Sequence, residues 1–193
     1  KRLGYLKYAL VGLAIVIVIA ALAFYFSDSQ NYVAKVGDEK ISSEEFRFFL
    51  KQQKDYMLAK ARAENPNTDE KTFWNTKIDG EPAIDIAKKN ALESASELKV
   101  EVLKAKEQNI SLNKTDIETM DTIIDSIIAQ NNNSRSQADK FFKEEYGVSI
   151  NEFKEIYKSF MLRSKFFQNE IVKLQVTEDD IKTYYEKDPE SFT

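Results

Sequence analysis

The sequence predicts a mostly α-helical protein that begins with one transmembrane helix and carries a small β-hairpin at the start of its folded body. Three observations predict it. Tyr8 to Phe26 is a run of nineteen residues without a charge. Five Gly and three Pro in 193 residues are too few for the many tight turns of a β-sandwich. Beyond the run, apolar residues recur at three- and four-residue spacing behind polar residues that cap helices.

At about 1.5 Å rise per residue the apolar run matches the roughly 30 Å of a bilayer's hydrocarbon core. Tyr5, Tyr8, Tyr25 and Phe26 stand where interfacial aromatics belong. Lys1, Arg2 and Lys7 precede it and Asp28 follows, so the positive-inside bias predicts a single-pass protein of the cell membrane, its N-terminus cytoplasmic and its main domain extracytoplasmic. Ala21-Leu22-Ala23 also offers a signal-peptidase pattern, but the run continues apolar through Phe24, Tyr25 and Phe26, which favours a retained anchor. A lipidated cysteine is excluded, because the chain has none.

Removing Lys1, Arg2 and Lys7 leaves 25 basic residues against 32 acidic ones and a net charge of −7, so nucleic acid is not an expected partner. Without Cys or His there is no disulfide framework, no thiolate or imidazole metal site and no Ser-His or Cys-His nucleophile; no metal or cofactor is expected. A Ser-Lys or paired-carboxylate mechanism stays formally open, but Lys, Asp and Glu are spread evenly through helical patterns, as on a solvated face. No catalytic residue is assigned.

The elements then follow in order. Tyr32 to Val36 alternates like a strand, Gly37-Asp38 supplies a turn, and Lys40-Ile41 pairs back. Ser42 with Glu45 forms a capping box, and Ile41 with Phe46 a hydrophobic staple, for a helix that Asn65-Pro66 ends. Residues 65 to 81 read as loop, with Phe73 and Trp74 turned inward, and Pro82 opens the next helix. The small-residue stripe Ala87, Ala91, Ala95, Leu98, Val102 and Ala105 makes this the central helix, ended at Asn109-Ile110-Ser111. Thr115 with Glu118 makes a second capping box, before Ile117, Met120, Ile124, Ile127 and Ile128. A short helix with Ala138, Phe141, Phe142 and Tyr146 ends at Gly147, a left-handed cap. Ser149 with Glu152 opens a long helix to residue 175, whose apolar face is Ile150, Phe153, Ile156, Tyr157, Phe160, Phe167, Ile171 and Leu174. Thr177 with Asp180, and Val176 with Ile181, start a last helix that Asp188-Pro189 stops. The chain begins at Lys1 rather than Met and stops at Thr193 shortly after this new helix, which reads as a fragment of a longer protein.

An anchor, then VAKVGDEKISSEEF at Val33 to Phe46, a long helix ending KAKEQNISL, and a closing VTEDDIKTYYEKDPESF together resemble the exported folding factors of the SurA, PrsA and PpiD type. The resemblance spans Val33 to Phe192. It implies a trigger-factor-like helical chaperone domain that holds unfolded or newly translocated polypeptide, followed by a parvulin-type peptidyl-prolyl isomerase domain. The division expected is a cytoplasmic stub and anchor over 1–30, the helical domain over 31–175, and a linker helix over 176–193 leading out of the chain. The histidines and the cysteine or aspartate set of a parvulin domain have no counterpart here, so no isomerase residue is carried over and enzymatic activity stays undecided.

A scaffold without nucleotide-binding motifs holds clients by passive apolar contact, for which aromatic and Met side chains suit many sequences. The doublets Phe48-Phe49, Phe141-Phe142 and Phe166-Phe167 are the candidates, because adjacent helical residues lie about 100° apart and do not share a narrow stripe. The stripe Phe46, Phe49, Leu50, Gln53, Met57 and Ala61 of the first helix and the face of the long helix above put Phe49 and Phe167 inside, leaving Phe48 and Phe166 as exposed client contacts; between Phe141 and Phe142 the sequence does not choose. The rival reading is a membrane-tethered helical adaptor for one dedicated partner, with no chaperone role. Monomer and homodimer are both compatible with the sequence.

Overall fold

The computed structural model describes residues 32–173 and 177–187. The apolar run at 8–26, the Ala21-Leu22-Ala23 motif, Leu174 and Val176 lie outside the described residues. No helix among the described residues is long and apolar enough to cross a membrane.

Strands β1 (Tyr32–Val36) and β2 (Glu39–Ser42) pair antiparallel, with a bulge between Tyr32 and Ala34. The turn needs Gly37: its φ is +57°, and a Cβ there would stand 3.2 Å from Leu103 Cδ1, so the hairpin lies close on the central helix. Ser42 accepts from the Glu45 N–H and starts α1 (Ser43–Glu64). The expected reciprocal half of that capping box is replaced, since the Glu45 carboxylate turns to Lys99. Asn65 ends the helix as predicted.

The loop after it is more structured than its composition suggests. Asp69 caps a single turn, α2 (Glu70–Phe73), and the two-residue strands β3 (Lys77–Ile78) and β4 (Glu81–Pro82) form a second hairpin. Phe73 is buried with Leu58 and Ala83, and Trp74 packs partly buried beside it, as read from the sequence. Pro82 sits at the N-cap of α3 (Ala83–Glu107) rather than inside it, with no side chain to cap the helix.

The α3 stripe is buried from Ala83 through Ala87, Ala91, Ala95, Leu98 and Val102 to Ala105. Small side chains at i, i+4 intervals let α1, the first hairpin and α6 (Ile150–Lys173) approach its axis. Their meeting forms the main core, with Ile41, Phe48, Phe49, Leu98, Val148 and Ile156.

A second core joins α4 (Lys114–Gln130), α5 (Arg135–Tyr146) and the start of α6 around Ile124, Ala138, Phe142 and Ile150. The α4 start corrects the sequence reading. Asn113 is the N-cap and forms the capping box with Asp116, two residues ahead of the predicted Thr115 and Glu118. Asn caps at least as well as Thr, and the acid at its third helical position completes the motif. Gly147 caps α5 at φ +74°, and the Ser149–Glu152 box opens α6. Helix α7 (Glu178–Lys187) closes the described chain.

Candidate functional site

The four phenylalanines singled out from the sequence fall in two different environments. Phe48, Phe142 and Phe166 are buried, and Phe141 is 37% exposed. Phe48 lies within 6.3 Å, ring to ring, of Phe49, Tyr146, Phe153 and Phe160. Phe142 is fully enclosed, 4.9 Å from Phe153 and 5.4 Å from Tyr146. These rings form one aromatic lattice joining α1, α5 and α6. The doublet rule failed at Phe48-Phe49 because α1 meets neighbours on two sides, α3 on one and α5 with α6 on the other; its buried arc is wide enough for both rings.

At Phe166-Phe167 the expected assignment is reversed. Phe166 is buried and Phe167 is 41% exposed. The stripe drawn from the sequence stepped from Phe160 to Phe167 to Ile171. The face of α6 that meets α3 instead steps through Arg163, Phe166, Glu170 and Lys173: Arg163 Nε lies 2.9 Å from Glu101 Oε2, and Gln108 bonds Glu170 at 2.8 Å and Lys173 at 2.7 Å. Around Phe166 the packed side thus carries polar residues, while Phe167 and Ile171 turn away.

What results is an apolar ridge of Phe167 and Ile171 on the C-terminal end of α6, with Val172 about 100° round the helix from Ile171. Phe167, Ile171 and Val172 are exposed, Val172 at 84%, with the Arg163 guanidinium over the Phe167 ring at 5.6 Å. Helix α7 carries Ile181, Tyr184 and Tyr185, likewise exposed at i, i+3, i+4 spacing. Beside the ridge, Tyr157, Phe160, Met161, Ser164 and Gln168 line a groove of about 340 Å³, with Asp116 and Lys165 at its edge. A phenylalanine, a tyrosine and a flexible methionine facing one channel offer adaptable apolar contact rather than a shaped pocket.

The perturbed carboxylates serve helix-to-helix contacts. Asp116 is held below the usual carboxylate range by a hydrogen bond from Lys165, and Asp139 by one from Lys143 and another from the Ile150 N–H. Burial raises Glu101, against the opposing charge of Arg163. These three lie on α4, α5 and α3, and Glu152 and Glu170, lowered as well, lie on α6; each has a neighbouring cation.

Sequence reasoning missed the pair Lys99 and Glu45, 2.8 Å apart, with side chains 9% and 5% exposed. Glu45 carried a capping signal and Lys99 adjoined the apolar stripe at Leu98; a lysine beside that stripe was the only sign of a buried cation.

No family model matches the chain, and no solved structure matches it. It is similar to two curated proteins. One is the foldase protein PrsA of Caldanaerobacter subterraneus subsp. tengcongensis, 25% identical over 164 residues, which cover 85% of this chain and 45% of the relative. Another is the foldase protein PrsA of Clostridium acetobutylicum, 27% identical over 138 residues, covering 70% of this chain and 40% of the relative. The chain therefore spans less than half the length of the curated relatives it matches.

Proposed function

We propose that this chain is the helical chaperone part of a membrane-anchored extracytoplasmic foldase, holding unfolded exported polypeptides by passive apolar contact. The observation that carries this reading is the similarity to two foldases over most of the chain, 85% and 70% of its length. The ridge of Phe167 and Ile171 with the neighbouring Val172, the exposed Ile181, Tyr184 and Tyr185 of α7, and Phe141 are the surfaces suited to the task. Large exposed apolar side chains gathered at one helix end are unusual on a soluble surface and mark contact sites. The buried Phe48, Phe142 and Phe166 act in this reading as scaffold, and the contact role that the sequence left open between Phe141 and Phe142 falls to Phe141.

The apolar run at 8–26 is the proposed anchor, and the linker over 176–193 is proposed to lead toward a peptidyl-prolyl isomerase domain like that of the resembled family. Any isomerase activity would belong to that domain. The test is aggregation of several chemically unfolded clients with and without residues 31–193. The reading expects concentration-dependent suppression without nucleotide; no suppression of any client would refute it. Proline-isomerisation assays on the same fragment are expected to show no rate enhancement.

A further inference from the structure

The groove of Tyr157, Phe160 and Met161 is bordered by a helix start that has no fully buried side chain. Helix α4 is pinned from Met120 onward, where Met120 and Ile124 are buried and Ile127 and Ile128 pack on the second core. Ahead of Met120, Lys114, Thr115, Glu118 and Thr119 are exposed and Asp116 and Ile117 are only partly covered. Between this first turn and α6 runs the ion pair Lys165 to Asp116, whose side chains are 29% and 21% exposed. One turn on, Lys154 reaches Asp121 at 2.5 Å. The loop entering α4 carries Asn109 at φ +57°, and Asn113 and Asp116 cap each other, so the turn closes its own hydrogen bonds and does not depend on α6 for them.

We infer that the Lys165–Asp116 ion pair is a latch that holds the first turn of α4 against α6 and so controls how far the Tyr157, Phe160 and Met161 groove opens. A partly exposed pair of this kind contributes little to stability, and screening weakens it. The latch thus opens in a minor population, and releasing it leaves both cores intact. The inference concerns the groove itself and does not require that a client binds there.

The test is hydroxyl-radical footprinting of Tyr157, Phe160 and Met161 in the full chain, at low salt and in about 1 M salt, for the wild type and Lys165→Gln. This variant keeps the Asn113–Asp116 cap. The latch predicts roughly two-fold more labelling of the groove in Lys165→Gln at low salt, a rise with salt in the wild type, and little further rise in the variant. Lys165→Arg, which keeps the cation and leaves Asp116 in its cap, guards against a misfolded single variant and is expected to retain protection. Unchanged groove labelling in Lys165→Gln with the fold retained would overturn the latch, as would a salt response identical in wild type and variant.

Discussion

Lys99 of α3 and Glu45 of α1 form an ion pair at 2.8 Å with both side chains more than nine-tenths buried, fastening the first turn of α1 to the middle of the central helix. The two atoms face each other by charge without hydrogen-bond alignment at Glu45 Oε1. Removing one partner strands the other charge in the core.

Glu45→Leu or Lys99→Met alone is therefore expected to cost about 3–5 kcal/mol, while the two together recover most of that loss. Denaturant unfolding of the two single variants and the double variant checks it. Additive costs in the double variant would show that the two charges are independent.

The doublets separate scaffold from surface. Phe142→Ala empties a fully enclosed site and is expected to cost about 3–5 kcal/mol. Phe141→Ser and Phe167→Ser, on exposed rings, are expected to stay within about 1 kcal/mol of the parent. Thermal or denaturant unfolding decides, and a Phe167→Ser variant as unstable as Phe142→Ala would place that ring in the core.

At Gly147 the backbone has φ +74°, and a Cβ would meet Lys51 Cβ at 3.3 Å and Arg47 O at 3.5 Å. Gly147→Ala is expected to destabilise by about 1–2 kcal/mol, the left-handed cost plus a tight contact with α1. A change below about 0.3 kcal/mol would show that the turn relaxes.

Acid should loosen the α5–α6 junction. Lys143 and the Ile150 N–H hold Asp139 below the usual carboxylate range. An acid whose pKa is lower when folded adds stability that is complete above its unfolded pKa and is lost as pH falls through the folded one. The wild type is thus expected to lose more stability than Asp139→Asn between about pH 5 and pH 2. Parallel unfolding curves for the two proteins over that window would contradict this.

Most of the helical frame was legible because it rests on local signals. The caps at Ser42, Gly147 and Ser149, the stop at Asn65 and the small-residue stripe of α3 each declare themselves within a few residues. The aromatic doublets did not, because which ring is inside depends on how many neighbours a helix has. Phe48 and Phe49 are both enclosed where α1 is flanked on two sides. Phe166 and Phe167 exchange roles because α6 meets α3 through Arg163, Glu170 and Lys173, residues that a hydrophobic stripe passes over. The Glu45–Lys99 pair joins residues 54 apart in sequence, beyond any periodic pattern.

The proposed holding of non-native polypeptide is tested most directly by site-specific photo-crosslinking of residues 31–193 to a permanently unfolded client. The crosslinker stands in turn at Phe167, at Ile171 and at the exposed Lys89 of α3. The account predicts strong adducts from Phe167 and Ile171, competed by a second unfolded protein, and weak ones from Lys89. Equal yields from all three positions, or adducts with no client at all, would contradict it.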